Sequence, residues 1–180
     1  MANIRFSDDS EIFEINNPEE VSCLYFPLAS ETGLKSSITP DLGGDCKLDQ
    51  EGFLLEPVSA EDLRTSRSTR NFWCVTEKGC WSATGVSAEQ EAARFTPEQD
   101  ESRLTAGFMW QSVRRETKRY ALCAEITSFV PHRENVEIMY IRVTNTDAAP
   151  QRITGIAAVP IYGRSADNIR DHRNVTSMLH

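Results

Sequence analysis

Alternation of apolar and polar residues in the second half of the chain is the feature that most constrains its fold. In "YALCAEITSFVP" (120–131), every second residue from Leu122 to Ile126 is apolar, and the polar Glu125 and Thr127 lie on the opposite parity. A period of two residues is that of a β-strand with one face buried and the other in water. We therefore predict a half-buried strand over this segment.

A similar pattern extends over "LTAGFMWQSVRRE" (104–116), which we interpret as a single strand. Its predicted core face carries the apolar side chains of Leu104, Ala106, Phe108 and Trp110. Because a large aromatic on that face buries a large apolar area, we expect Trp110 to pack in the core.

Two later segments complete the strand pattern of this half. "NVEIMYIRVTNT" (135–146) is apolar on both faces, which predicts a central strand covered on both sides. "QRITGIAAVPIYG" (151–163) contains Pro160, which predicts an edge strand or a bulge. The short polar segments 118–119 and 133–135 are typical of connections between antiparallel neighbours.

Weaker strand patterns occur in the first half of the chain. They cover residues 3–7, 11–15, 23–30, 33–40, 71–77 and 80–85, of which the last two are expected to pair with each other. Ser59 followed by Asp62 predicts one helical turn within 57–66, and the acidic segment 87–103 is interpreted as a loop. The sequence therefore predicts an all-β protein, an antiparallel β-sandwich.

Composition and charge exclude several classes of protein. No apolar run approaches the roughly 18 residues of a membrane span, and the N-terminus lacks a signal peptide, so we expect a cytoplasmic protein with no membrane partner. The net charge is -8, with 14 acidic and 3 basic side chains in residues 1–62 against 13 acidic and 16 basic in 63–180. Such a chain repels a polyanion as a whole, so no nucleic-acid partner is expected.

The five cysteines and three histidines form no metal-binding pattern. Cys74 and Cys80 are too far apart for a CxxC pair, and no histidine lies near them to complete a zinc set. We predict reduced thiols that are buried or half-buried, and neither a metal nor a cofactor. The glycines of "LGGD" (42–45) lack a phosphate-binding motif and predict a turn.

Two polar clusters are candidate binding sites. In "DLRTSRSTRNFW" (62–73), Arg64, Arg67 and Arg70 recur at three-residue spacing. On a helical turn they would repel one another, and either a ligand anion or the acidic N-terminal region could relieve that repulsion. The second cluster comprises Arg164, Asp167, Asn168, Arg170, Asp171 and Arg173. Such groups bind sugar hydroxyls and phosphate oxygens, and an internal salt-bridge network accounts for them equally well.

Several segments, taken in order, resemble the N-terminal region of an inverting glycoside phosphorylase. They are "YFPLASETGLKSSITPDLGGDCKLDQEGFLLEPVSAEDLRTSRSTRNFW" (25–73), "WSATG" (81–85), "ITSFVP" (126–131), "RVTNT" (142–146) and "IYGRSADNIRDHRNVTSMLH" (161–180). The family is that of the cellobiose, cellodextrin and chitobiose phosphorylases, once classed as glycosyltransferases. The similarity is most specific in 25–73 and 162–180.

The resemblance implies a multi-domain enzyme several times longer than this chain. It would begin with a β-supersandwich of the galactose-mutarotase type and continue through a helical linker into an (α/α)6 barrel. Such an enzyme uses inorganic phosphate as co-substrate to cleave a β-glycosidic bond with inversion, giving an α-sugar 1-phosphate. The catalytic acid of the family lies on the barrel. We therefore expect residues 1–180 to be a truncated N-terminal domain with no catalytic residue.

In the family, loops of the N-terminal domain help to form the substrate site, commonly that of the neighbouring subunit in a homodimer. The resemblance thus implies binding of a β-linked oligosaccharide or sugar phosphate by the cluster in 162–180, with Arg67 and Arg70 as weaker candidates. Two alternatives remain open: a free-standing carbohydrate-binding module and a non-functional gene fragment. Exposed aromatics that stack on sugars would favour the module, and Trp73, Trp81 and Trp110 are the residues to test.

Overall fold

The computed structural model describes residues 4–8, 10–21, 24–49, 51–56 and 69–163. The strands are β1 (Ile4–Phe6), β2 (Phe13–Asn16), β3 (Phe26–Ala29), β4 (Lys35–Ile38), β5 (Cys46–Lys47), β6 (Phe53–Leu55), β7 (Asn71–Thr76), β8 (Gly79–Ser82), β9 (Glu101–Gly107), β10 (Trp110–Thr117), β11 (Leu122–Phe129), β12 (Ile138–Asn145) and β13 (Thr154–Ala158). A 3-10 turn (Pro18–Glu20) and helix α1 (Ala88–Ala93) complete the elements of these ranges. The all-β prediction is confirmed.

Three antiparallel sheets form the two layers of a sandwich-like fold. The largest has the order β1-β2-β9-β10-β11-β12, and the smaller ones have the orders β13-β7-β8 and β3-β4-β5-β6. Strands β9 to β12 follow one another as a meander, which confirms the short connections predicted at 118–119 and 133–135. The predicted pair of strands over 71–77 and 80–85 is also confirmed, as β7 and β8.

The main core lies between the inner face of the six-stranded sheet and the two smaller sheets. Leu122, Ala124 and Ile126 are fully buried on that inner face, as their alternation predicted. They pack in one cluster with buried residues of the smaller sheets and of the loops that connect their strands, namely Leu28, Leu34, Ile38, Leu42, Cys46, Leu55, Cys74 and Trp81. Burying each large aliphatic side chain stabilises the fold by roughly 1.5–3 kcal/mol.

The single strand predicted over 104–116 is wrong, because the chain reverses at Phe108 and Met109. Gly107 of β9 pairs directly with Trp110 of β10 across this two-residue turn, and Met109 adopts a positive φ of 60°. The reversal changes the face of every residue that follows it. Leu104 therefore points into the core as predicted, whereas Trp110 is half-buried on the opposite, outer face.

The strand predicted to be central is instead an edge strand of the described sheet. β12 pairs with β11 and ends the strand order, and none of its residues is fully buried. Its apolar side chains on the inner face, Met139, Ile141 and Val143, pack against the core, but Tyr140 on the outer face is exposed. β13 is an edge strand too, as Pro160 predicted, and all five of its residues are exposed.

The acidic segment interpreted as a loop contains helix α1. Ser87 Oγ accepts a hydrogen bond from the backbone N–H of Gln90 at 3.1 Å, and the Ser87 hydroxyl donates to Gln90 Oε1 at 2.8 Å. Ser-x-x-Gln is a capping-box spacing, and the serine side chain gives one free backbone N–H of the first turn a partner. The loop predicted over 87–103 is therefore wrong at helix α1 and at the first residues of β9 (101–103), because the helix has no apolar stripe and the capping spacing is its one local signal.

Other predictions have mixed outcomes. Cys46, Cys74 and Cys123 are buried free thiols, as expected, but Cys80 is exposed. The turn predicted at 42–45 is present, with Gly44 at a φ of 106°. The helical turn predicted within 57–66 lies outside the described residues.

No helix within the described part of the chain has both the length and the apolar character needed to cross a membrane.

Candidate functional site

Of the residues predicted to bind substrate, the structure describes Arg70. The others lie outside the described residues: Arg67, Arg164, Asp167, Asn168, Arg170, Asp171 and Arg173. Arg70 directly precedes β7, and Thr69 beside it forms an isolated bridge with Gly43. This bridge brings the arginine to the loop between β4 and β5.

Arg70 is buried, with 4% of its surface exposed, and its guanidinium is bonded within the protein. Nη1 donates to the carbonyl oxygens of residues 42, 43 and 44 at 3.1–3.3 Å. Nη2 donates to Ser36 Oγ and the Asp45 carbonyl, each at 3.1 Å, and to Glu137 Oε2 at 2.9 Å. Nε lies 2.5 Å from Glu137 Oε1, so the ion pair is bidentate.

This network joins three parts of the fold. Ser36 belongs to β4, the carbonyls belong to the β4–β5 loop, and Glu137 directly precedes β12. Burial raises the pKa of the nearby Cys46 thiol to about 11, and the negative charge of Glu137 adds to the effect. Of the two interpretations of the arginine cluster, internal pairing describes Arg70. Its carboxylate partner, however, lies in the second half of the chain and not in the acidic N-terminal region.

A second candidate site lies on the outer face of the six-stranded sheet. Trp110 of β10 pairs directly with Phe129 of β11, and Phe129 pairs directly with Ile138 of β12. Tyr140 lies on the same face of β12, two residues after Ile138. Phe108 lies in the hairpin turn between β9 and β10. We call these five residues the aromatic face. Phe108 is 87% exposed and Tyr140 is 55% exposed.

The indole of Trp110 lies over the backbone of Gly107 in the neighbouring strand. A Cβ atom added to Gly107 would overlap Nε1, Cε2 and Cζ2 of the indole, which shows that the ring occupies the space above this glycine. The absence of a side chain at Gly107 therefore lets the ring lie close against the sheet. The tryptophan is half-buried, and Phe108 in the turn that precedes it is exposed.

Polar groups border the aromatic face further along β10 and β11, next to the row that contains Trp110 and Phe129. The next cross-strand row contains Ser112, Thr127 and Tyr140, and the hydroxyls of Ser112 and Thr127 are 3.0 Å apart. The row after it contains Arg114, Glu125 and Arg142. Arg142 lies 3.8 Å from Glu125 and Arg114 lies 2.7 Å from Glu116, so each of these two arginines has a carboxylate beside it.

The three tryptophans named as candidates for sugar stacking have different environments. Trp81 is 1% exposed and donates from Nε1 to Asp100 Oδ2 at 2.9 Å, so it is a core residue. Trp73 is half-buried and pairs with Ile156 of the edge strand β13. Trp110 is half-buried on the outer face of the six-stranded sheet.

Sequence reasoning placed Trp110 on the wrong face because it did not recognise the two-residue turn. Neither Phe108 nor Met109 is a typical turn residue, so the usual signal was missing. Gly107 gave the one local indication that the strand ends there.

Comparison with protein-family models gave no match, and comparison with curated proteins gave none either. In the described part of the chain, no group of three or more His, Cys, Asp or Glu side chains is arranged to hold a metal ion.

Proposed function

We propose that this chain is the N-terminal carbohydrate-binding and assembly domain of an inverting glycoside phosphorylase of the cellobiose, cellodextrin and chitobiose phosphorylase group. The support is the ordered set of resembling segments together with an all-β antiparallel fold of the predicted class. Under this proposal the longer enzyme is cytoplasmic and homodimeric. The domain has no catalytic activity by itself.

The proposed reaction needs two groups that act at one glycosidic bond. A carboxylic acid, supplied by the barrel of the longer enzyme, protonates the leaving oxygen, and inorganic phosphate attacks the anomeric carbon from the opposite face. The products are an α-sugar 1-phosphate and a shortened sugar. The N-terminal domain contributes binding: the cluster in 162–180 supplies arginine and carboxamide groups suited to sugar and phosphate oxygens.

The observation that carries the proposal is that resembling segments far apart in sequence are neighbours in the fold. Segment 25–73 contains β3 to β6 and the start of β7, while 126–131 and 142–146 belong to β11 and β12. Arg70 of the first segment is bonded to Glu137, which lies between the other two. The described residues of these three segments therefore lie in one connected part of the fold.

The proposal is tested by the size and activity of the native product. An antibody to this chain is expected to detect, in a lysate of the source organism, a protein several times larger than 20.3 kDa. The purified large protein is expected to form sugar 1-phosphate from cellobiose, laminaribiose or chitobiose in the presence of phosphate, and the 180-residue chain is not. Sugar 1-phosphate made by the short chain, or a large protein without phosphorolysis, would contradict the proposal.

The aromatic face favours a second candidate, a free-standing carbohydrate-binding module. Exposed aromatic rings on a β-sandwich sheet offer an apolar surface to the ring faces of sugars. A native product of 20.3 kDa that binds oligosaccharides would support this candidate over the first.

A further inference from the structure

We propose that the core holds a bound water molecule between Gln111 of β10 and Ser128 of β11. The two residues pair directly across the neighbouring strands, and each is 0% exposed. Gln111 Oε1 and Ser128 Oγ are both buried, and neither has a hydrogen-bond partner within the described part of the chain. The inference concerns the fold itself and is independent of the proposed function.

Two unpaired polar atoms on directly opposite core residues are expected to share a ligand. Removing a polar group from water without a new hydrogen bond destabilises a fold, so nearly all buried polar groups have a partner. Globular proteins hold about one buried water per 27 residues, and each is bonded to polar groups that the protein leaves unpaired. Several are therefore expected in a chain of 180 residues, and this pair of atoms has the chemistry that such a water needs.

The other end of the Gln111 amide fixes its orientation. Nε2 donates to the carbonyl oxygen of Thr39 at 2.9 Å. Turning the amide over would place Oε1 against that carbonyl oxygen, and two acceptors repel each other. Because Thr39 directly follows β4, the Nε2 bond also joins the six-stranded sheet to the four-stranded sheet. The unpaired atom at this position is therefore an acceptor that needs a donor.

The strand pairing brings the two atoms within reach of one water. Cβ atoms of directly opposite residues are about 4.5–5.5 Å apart. A water that makes two hydrogen bonds of about 2.8 Å spans up to roughly 5.6 Å between its partners. One water molecule can therefore bond to Gln111 Oε1 and Ser128 Oγ at the same time.

Small side chains flank this position on the inner face of the sheet. The cross-strand neighbours of Gln111 are Ala106 on β9 and Ser128 on β11, whereas the same two strands carry Leu104 and Ile126 in the next row. Leu104 and Ala106 belong to a second, smaller cluster of buried residues, and Ile126 belongs to the main core. Gln111 thus lies where two apolar clusters meet, and its small neighbours leave room that larger side chains fill in the next row.

Water is the ligand whose chemistry fits both atoms. A carboxamide oxygen can only accept, so the ligand must donate to Gln111, while a serine hydroxyl both donates and accepts. Both side chains are neutral, so an ion bound to them would be buried without a charged partner. A water molecule supplies two donors and two acceptors and carries no charge.

The direct test is a high-resolution crystal structure of the 180-residue chain. We expect one peak of electron density about 2.7–3.2 Å from both Gln111 Oε1 and Ser128 Oγ. A direct hydrogen bond between the two side chains would overturn the inference. Two unbonded side chains with no density between them would overturn it as well.

Urea unfolding of Ser128→Ala tests the same site in solution. This variant removes one of the two partners of the water, so the ratio of folded to unfolded protein is expected to fall about fivefold or more. If the two atoms were unpaired and dry, removing the hydroxyl would raise that ratio instead and overturn the inference. Ser112→Ala is the matched control on β10: its hydroxyl lies on the outer, half-buried face beside Thr127, and the ratio is expected to stay within about twofold.

A double variant tests whether the two side chains act together. Gln111→Met keeps the length of the side chain but removes the amide, and the carbonyl of Thr39 keeps the hydrogen bond from the Leu42 N–H. Once both polar groups are gone, no atom is left to pair, so Gln111→Met with Ser128→Ala is expected to lose less than the product of the two single losses. A loss equal to that product would show that the two side chains share no ligand.

Discussion

Replacing Arg70 by alanine tests whether this arginine holds the fold together. The substitution leaves the Glu137 carboxylate without its bidentate partner, and it leaves Ser36 Oγ and the carbonyls of 42–45 without their guanidinium donors. Removing one partner of a buried ion pair costs about 3–5 kcal/mol. For a chain of this size each kcal/mol lowers Tm by about 2–4 °C, so we expect a fall of roughly 6–20 °C.

The assay is thermal and urea unfolding, with an exposed arginine as control. Arg133 is 82% exposed and lies 3.9 Å from Glu31, so Arg133→Ala is expected to cost less than about 1 kcal/mol. Arg70→Lys keeps the positive charge but loses the planar guanidinium that forms two parallel hydrogen bonds. Its Tm should therefore lie between those of Arg70→Ala and Arg133→Ala. If Arg70→Ala melts within about 2 °C of Arg133→Ala, the network does not stabilise the fold as argued.

Two further predictions concern buried groups. Burial raises the pKa of the Cys46 and Cys74 thiols from 9.0 to about 11. The unfolded chain therefore releases these protons first as the pH rises, and between pH 9 and 11 the free energy of unfolding should fall by about 1 kcal/mol per pH unit for each thiol. Because burial also raises the pKa of Cys123 and Tyr120, Cys74→Ala should remove only its own share, about 1 kcal/mol per pH unit, from the slope measured in urea titrations. Gly85→Ala should lower the free energy of unfolding by about 2 kcal/mol or more, because Gly85 has a φ of +84° and a new Cβ would lie 2.5 Å from Cζ of Arg115. Gly33→Ala is the control: Gly33 has a φ of +109° but no atom within 4 Å of the added Cβ, so this variant measures the cost of the backbone conformation without a steric clash.

Strand positions were predictable where one face of a strand is buried. Residues 120–131 alternate because they contain β11, in which the even-numbered residues from Leu122 to Ser128 face the core. Period two is a property of the strand itself, so it can be read without knowledge of the neighbours. The sequence of a strand does not show how many strands lie beside it in the sheet. For that reason β12 could not be recognised as the last strand of the described sheet.

The aromatic face was not predictable because it depends on one turn. Had the chain continued straight through Phe108, Trp110 would share the face of Leu104 and lie in the core. The left-handed φ of Met109 is an unfavourable conformation for a residue with a side chain, and local propensity gives no reason to expect it. Tertiary pairing of β9 with β10 stabilises the turn, and no residue within the turn signals it.

The pairing of β2 with β9 has a consequence for the way the chain is made. Ile15 pairs with Leu104, so the N-terminal hairpin of β1 and β2 must wait for a partner that is synthesised much later. At about 5–20 residues per second, the delay on a ribosome is on the order of five to twenty seconds. Until then Phe13 and Ile15, which are half-buried and fully buried in the folded protein, lack their partners on β9. The local meander from β9 to β12 is expected to fold first, and docking of the early hairpin onto it to be the slow step.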